Sequence, residues 1–230
     1  MRTSWNVLFL VAILSISFSS TLLAQEPADN LVKTHADTHL YTARDYSKLL
    51  GTPGLSETLL KNHFTLYQGY VKNTNLLLET LRQLSLVGKS DTPEFSELKR
   101  RFGWEFNGMR LHELFFENLG SIEPFDKTGK IAGAMAQNFR GFEAWEREIK
   151  SMGKMRGIGW AVLYQDLTNN KLFNCWIEEH DAGHPAGCQP ILVLDLFEHA
   201  YLTDYGLKKA DYVDSLLKII DWKVVESRLK

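Results

Sequence analysis

Several things are scarce in this sequence. Its 230 residues hold two cysteines, Cys175 and Cys188, so at most one disulfide can form within a chain. The formal net charge is only −2, which leaves no case for a nucleic-acid partner. Beyond residue 24 there is no apolar run long enough to span a bilayer, so no membrane segment is expected in the mature chain. No twin-arginine pair stands near the start.

What is present fits a globular protein with a dense interior. Hydrophobic residues make up 44% and charged residues 23%, with 13 Phe, 8 Tyr and 6 Trp; a chain of this length has room for a sizeable core. Residues 1–24 read as a cleaved secretory signal. Arg2 is the positive start, Val7 to Leu14 the apolar centre, and Ala24 precedes the expected cut. Export to the periplasm or the outside is expected. There, Cys175 and Cys188 could pair, since each lies at the edge of one of two expected neighbouring strands; two free buried thiols are the other reading.

Residues 25–45 are polar and read as an arm, with His35 and His39 solvent-exposed. Ser56 can cap a helix in which Leu59, Leu60, His63, Leu66, Tyr67, Tyr70, Val71 and Leu76 recur at helical spacing, to about Leu84. Gly88 to Pro93 is a break, and helical spacing resumes at Phe95. Phe102–Gly108 is aromatic and interrupted by glycine; Met109 to Leu119 is strongly apolar and carries His112. The two helices predict an antiparallel hairpin that turns His63 toward His112. On either helix alone, a lone imidazole on an apolar face reads as well as a hydrogen-bonded core residue.

Ser121 to Lys130 is a linker. It separates an N-terminal helical domain, 25–122, from a C-terminal α/β domain, 123–230. Ile131 to about Met155 reads as one charged amphipathic helix. Gly157–Tyr164 and Leu172–Ile177 read as strands joined by a turn at Asn169-Asn170. A polar loop with His180, Asp181 and His184 leads to a third strand, Ile191–Leu194. A last helix is expected from about Tyr212 to Val225. The fold class is α+β: a helical hairpin, then a three-stranded antiparallel sheet with surrounding helices.

The third strand runs into Asp195-Leu196-Phe197-Glu198-His199-Ala200-Tyr201. Two readings compete. Asp195 can cap a following helix, with Glu198 completing a capping box. Alternatively, Asp195 and His199, four residues apart, can hold a metal ion that compensates a carboxylate at the end of a buried strand.

Taken together, the segments resemble the iron/manganese superoxide dismutases. The family's closing Asp-x-Trp-Glu-His-Ala-Tyr is similar to Asp195–Tyr201, and its first-ligand segment to Leu55–His63. Tyr70-Val71-Lys72-Asn73-Thr74-Asn75, Leu111–Phe116, Gly157-Ile158-Gly159-Trp160 and Tyr212–Trp222 also match. The resemblance covers about Asp45 to Trp222. It implies one iron or manganese ion per subunit held by His63, His112, Asp195 and His199, cycling between two charge states. It implies superoxide as substrate, with dioxygen and hydrogen peroxide as products. It also implies a homodimer, with a tetramer open, in which Glu198 of one subunit hydrogen-bonds the partner's His199. A non-catalytic module on this fold, or another mononuclear oxidoreductase, are the alternative readings.

Departures from the family pattern are specific. The stretch from His63 to Tyr70 is one residue shorter. Leu66 or Tyr67 stands where many relatives carry a His, and Leu202 where they carry its Tyr partner, so Tyr67 and Tyr70 are both candidates for the proton gateway. Gly108 occupies the position of the iron type's Gln, and His180 is expected to replace the Gln that hydrogen-bonds the metal-bound solvent. Phe197 stands for the Trp of the motif and keeps an apolar wall, and Trp160 is expected around the ligands. Lys209 replaces an Arg that attracts the anionic substrate. Val193 matches neither metal type, so iron and manganese both stay open.

Overall fold

The structure, a computed structural model, describes residues 41–230. The expected signal at 1–24, and His35 and His39, lie outside the described residues. Two long helices lead: α1, Glu57–Leu86, and α2, Pro93–Glu117. Ser56 caps α1, its Oγ accepting the Leu59 N–H at 3.1 Å. Thr92 caps α2, and Pro93 occupies the first turn, where its missing N–H costs nothing. The helices pack as the expected hairpin.

The α2 helix is unbroken where the glycines of 103–108 suggested an interruption. The reason lies across the hairpin. A Cβ on Gly108 would stand 2.5 Å from Cδ1 of Tyr70, so the bare backbone is a notch that receives the Tyr70 ring. The ~1 kcal/mol helix penalty of a glycine is offset by that close packing.

The expected single helix over 131–155 is two: α3, Lys130–Phe139, and α4, Phe142–Gly153. Arg140 takes a left-handed conformation at φ 65°, and Gly141 follows at φ 119°, which ends one helix and redirects the chain. Strands β1, Gly159–Asp166, β2, Leu172–Glu178, and β3, Cys188–Asp195, form an antiparallel sheet in the order β2-β1-β3. The central strand is buried from Gly159 to Gln165. Pro190 lies on the edge strand β3, where its missing N–H is tolerated, and a register shift adjoins it.

That strand order corrects the expected cysteine neighbourhood. Cys175 on β2 and Cys188 on β3 are separated by β1. Two strand spacings, about 9–10 Å, exceed the ~7 Å that a disulfide tolerates between Cα atoms, and both thiols are free.

After β3 the chain makes a single 3-10 turn, Glu198–Ala200, rather than entering a long helix, and then a short α5, Leu202–Tyr205. The expected last helix is also two, α6, Lys209–Leu216, and α7, Trp222–Ser227. Between them Ile220 forms a bridge with Leu119 at the foot of α2. Among the described residues no helix is long and apolar enough to cross a membrane.

Filling the Gly108 notch should be costly. Gly108→Ala is expected to lower unfolding stability by about 1–3 kcal/mol, read as a lower midpoint in urea at unchanged slope. A variant as stable as the wild type would mean that Tyr70 is free to move aside.

Candidate metal centre

Four side chains from three parts of the chain meet behind the hairpin. His63 comes from α1, His112 from α2, Asp195 from the end of β3 and His199 from the turn after it. One ligand atom of each lies within 4.8 Å of all the others. Asp195 Oδ2 is 3.1 Å from Nε2 of His63, 3.1 Å from Nε2 of His199 and 3.6 Å from Nε2 of His112. His63, His112 and Asp195 are buried, and His199 is partly exposed.

The capping reading of Asp195 does not hold: the 3-10 turn that follows begins after Phe197 with no side-chain cap, and Glu198 closes no capping box among the described residues. Each carboxylate oxygen has another role. Oδ1 accepts the Phe197 N–H at 2.9 Å and shapes the turn; Oδ2 faces the imidazoles. Burial alone would raise the Asp195 pKa, but His199 and His63 drive it well below the ordinary carboxylate range. Burial pushes the His63 and His112 pKa values down, that of His112 strongly, so both rings are neutral at pH 7.

The donor set fits a metal ion. His112 Nδ1 lies 2.5 Å from the Gly108 carbonyl. A carbonyl only accepts, so Nδ1 carries the proton and Nε2 of the neutral ring presents a lone pair. That Nε2 is buried and has no hydrogen-bond partner. An unpaired imidazole lone pair beside a buried carboxylate and two further imidazole nitrogens is the arrangement a first-row cation satisfies at once.

The surroundings are aromatic and directional. Trp160, opposite Asp195 in the sheet register, donates its indole N–H to His180 Nδ1 at 3.1 Å. His180 Nε2 is 2.6 Å from the Tyr70 hydroxyl. Since Trp160 can only donate, Nδ1 of the neutral ring accepts, Nε2 carries the hydrogen, and Tyr70 receives it. Phe197 is sandwiched, stacking on His180 at 4.7 Å and on His199 at 5.3 Å between centroids. Burial moves the His180 pKa down to about 4 and the Tyr70 pKa up to about 12.

The two gateway candidates separate. Tyr67 is turned away, donating to Glu113 Oε1 and accepting the Arg44 N–H, both at 3.0 Å. Tyr70 alone of the two reaches His180. Glu198 is exposed and makes no side-chain hydrogen bond or ion pair among the described residues. Lys209 is not at the cluster. Its Nζ donates to the Met155 carbonyl at 2.6 Å, in an open groove of about 670 Å³ that also contains Glu198, Lys154, Arg156 and Lys208.

Three contributors escaped the sequence reading. Trp104 meets the His180 ring edge-on at 4.9 Å; its place eight residues before His112, near the same helix face, was the available signal. Tyr212 donates to the Asp195 carbonyl at 3.0 Å. Arg101 lies over the Trp104 ring at 4.9 Å.

An α-helical hairpin joined to a three-stranded sheet, with three imidazoles and one carboxylate converging between them, is the architecture of a protein built to hold one metal ion. The family narrows with comparison. A model of the C-terminal domain of iron/manganese superoxide dismutases matches residues 127–228. An iron superoxide dismutase of Cupriavidus metallidurans is 37% identical over 180 residues, covering 76% of this chain and 88% of that protein. A manganese superoxide dismutase of Haloferax volcanii is 34% identical over 171 residues, 74% of this chain and 84% of that protein. An iron superoxide dismutase of Aquifex pyrophilus is 30% identical over 200 residues, 84% and 92% respectively. The chain belongs to the iron/manganese superoxide dismutase family.

The depressed pKa of His180 has a consequence for stability. The unfolded chain takes up a proton at this residue near pH 6.5 and the folded one only near 4. Falling pH therefore favours unfolding across that window, by at most about 3 kcal/mol. Between pH 7 and 4.5 the urea midpoint of the wild type should fall more steeply than that of His180→Gln; parallel curves would contradict the burial of a neutral ring.

Proposed function

We propose that this chain is an exported superoxide dismutase that holds one iron or manganese ion through His63, His112, Asp195 and His199. The observation that carries the reading is the buried, partnerless Nε2 of His112 facing Asp195 and two more imidazoles. When bound, such an ion supplies a one-electron couple through which one superoxide is oxidised to dioxygen and another is reduced to peroxide.

Peroxide formation takes two protons, and the chain's own groups bring them. Tyr70 keeps its proton at all physiological pH values, and because it accepts from His180, its own O–H is left to donate on the other side. His180 takes the place of the family's Gln, oriented by Trp160. Trp160, Phe197 and Trp104 exclude bulk water from the rings they touch.

Lys209, in the groove with Lys154, Arg156 and Lys208, gives a positive field suited to an anionic substrate. Glu198, exposed and without a partner among the described residues, and the partly exposed His199 beside it support a homodimer in which each Glu198 hydrogen-bonds the partner's His199. Both iron and manganese suit the donor set, and relatives of both kinds match along most of this chain. Export rests on the sequence of residues 1–24.

Metal content and superoxide consumption measured on the same purified sample test the reading. The wild type is expected to carry one iron or manganese per chain and to consume superoxide. His199→Ala should lose metal and reduce activity by more than about 100-fold. His180→Ala should retain metal and lose activity by about 10- to 100-fold. Bound metal without activity would favour another oxidoreductase, and no bound metal after reconstitution with either ion a non-catalytic module.

A further inference from the structure

The loop that delivers His180 is held at two points, and only one of them belongs to the site described above. Residues 178–182 close on themselves: Glu178 and Ala182 exchange both backbone hydrogen bonds, at 3.0 and 3.3 Å. Glu179 sits in the left-handed region at φ 51°, a conformation that costs a non-glycine residue energy. Of residues 179–184 only His180 is buried. A tight, strained turn thus inserts one side chain into the core and leaves its neighbours in solvent.

The second point is His184. Its Nε2 lies 2.9 Å from the backbone carbonyl of His180. A carbonyl only accepts, so Nε2 carries the hydrogen and Nδ1 presents a lone pair. Tyr164 is 2.9 Å from that Nδ1, and burial raises its pKa, so it remains a donor. The amide nitrogen of Asn107, 3.4 Å from the same Nε2, is also a donor and makes no hydrogen bond to it in this tautomer.

The two grips repeat one geometry. Trp160 and Tyr164 are four residues apart on β1, so their side chains share a face of the strand. His180 and His184 are also four apart. Each aromatic donor on the strand meets the imidazole 20 residues later, Trp160 with His180 and Tyr164 with His184. One bond orients the His180 ring, and the other, through His184, holds its main chain.

We propose that His184 and Tyr164 are positioning residues of this enzyme: together they latch the His180 main chain to β1 and so keep the His180 N–H aimed at Tyr70. Neither touches the four metal-site residues. The proposal rests on the dismutase reading for its kinetic consequence, whereas the latch itself is also measurable without turnover.

The amide of glutamine can reproduce the donor and acceptor that His184 presents, and leucine can reproduce neither. In the metal-loaded protein, His184→Leu is expected to lower kcat/KM for superoxide about 5- to 10-fold, what the aimed hydrogen bond from His180 to Tyr70 is worth. Metal content should stay near wild type. The optically titrated dissociation constant for azide, a small anion probing the same approach, should shift, and amide hydrogen exchange in 178–184 should quicken. His184→Gln should restore most of each. Tyr164→Phe, which removes a single oxygen, should match His184→Leu, and the double variant should lose no more than either alone. Faster exchange with kcat/KM and azide affinity within twofold of wild type would reduce the latch to a structural role and overturn the proposal. So would a Gln variant no better than Leu. Should the wild type consume no superoxide, the dismutase reading fails, and azide affinity and exchange still decide the latch.

Discussion

The arrangement depends on one buried charge. Asp195 ends the apolar strand β3 with its carboxylate fully out of water, a position that costs several kcal/mol unless the charge is compensated. The chain compensates it from all sides. Phe197 N–H takes one oxygen, and three imidazole nitrogens crowd the other. Two of those imidazoles are neutral because they too are buried. Neutral rings make weak counter-charges, so the cluster calls for a cation, and the helical hairpin, the sheet and the turn are all placed to surround it.

Around that centre the polar contacts run in one direction. Trp160 can only donate, so His180 accepts on one side and donates on the other, and Tyr70 keeps its own proton free. Gly108 makes the geometry possible, because the Tyr70 ring occupies the space a side chain there would fill. The same notch separates this site from one with a Gln at that helical position: a side chain at residue 108 would require the Tyr70 ring to shift from the place where it receives His180. His180 and Gly108 thus touch the same Tyr70 ring from two sides.

Much of this was legible in the sequence. His63 and Tyr70, two helical turns apart, fall on one face by spacing alone, and His112 repeats the pattern on the next helix. Asp195 and His199 stand at the end of an unmistakable apolar strand. What was hidden was hidden for physical reasons. Arg140 takes a left-handed conformation without being a glycine, so helical periodicity runs straight through the break between α3 and α4. Gly103 and Gly108 read as helix breakers because their partner, Tyr70, is 38 residues away from Gly108 in sequence. Cys175 and Cys188 seemed to lie on neighbouring strands because sequence order is not spatial order; the first strand goes in the middle. His180 was legible only through the family resemblance, since nothing local distinguishes the one side chain of its loop that turns inward.

The sequence distances between the metal-site residues carry a consequence for assembly. His63 and Asp195 are 132 residues apart and meet only when α1 lies against the end of β3. The helical hairpin alone presents two imidazoles; the strand end and its turn alone present one carboxylate and one imidazole. Neither half offers more than a bidentate grip, and loop closure over such spans is entropically costly until packing rewards it. A nascent or clipped chain therefore has little hold on a redox ion, and the ion is retained only once the last β-strand has docked. The connectivity thus defers a four-ligand grip until the chain that encloses the site has packed.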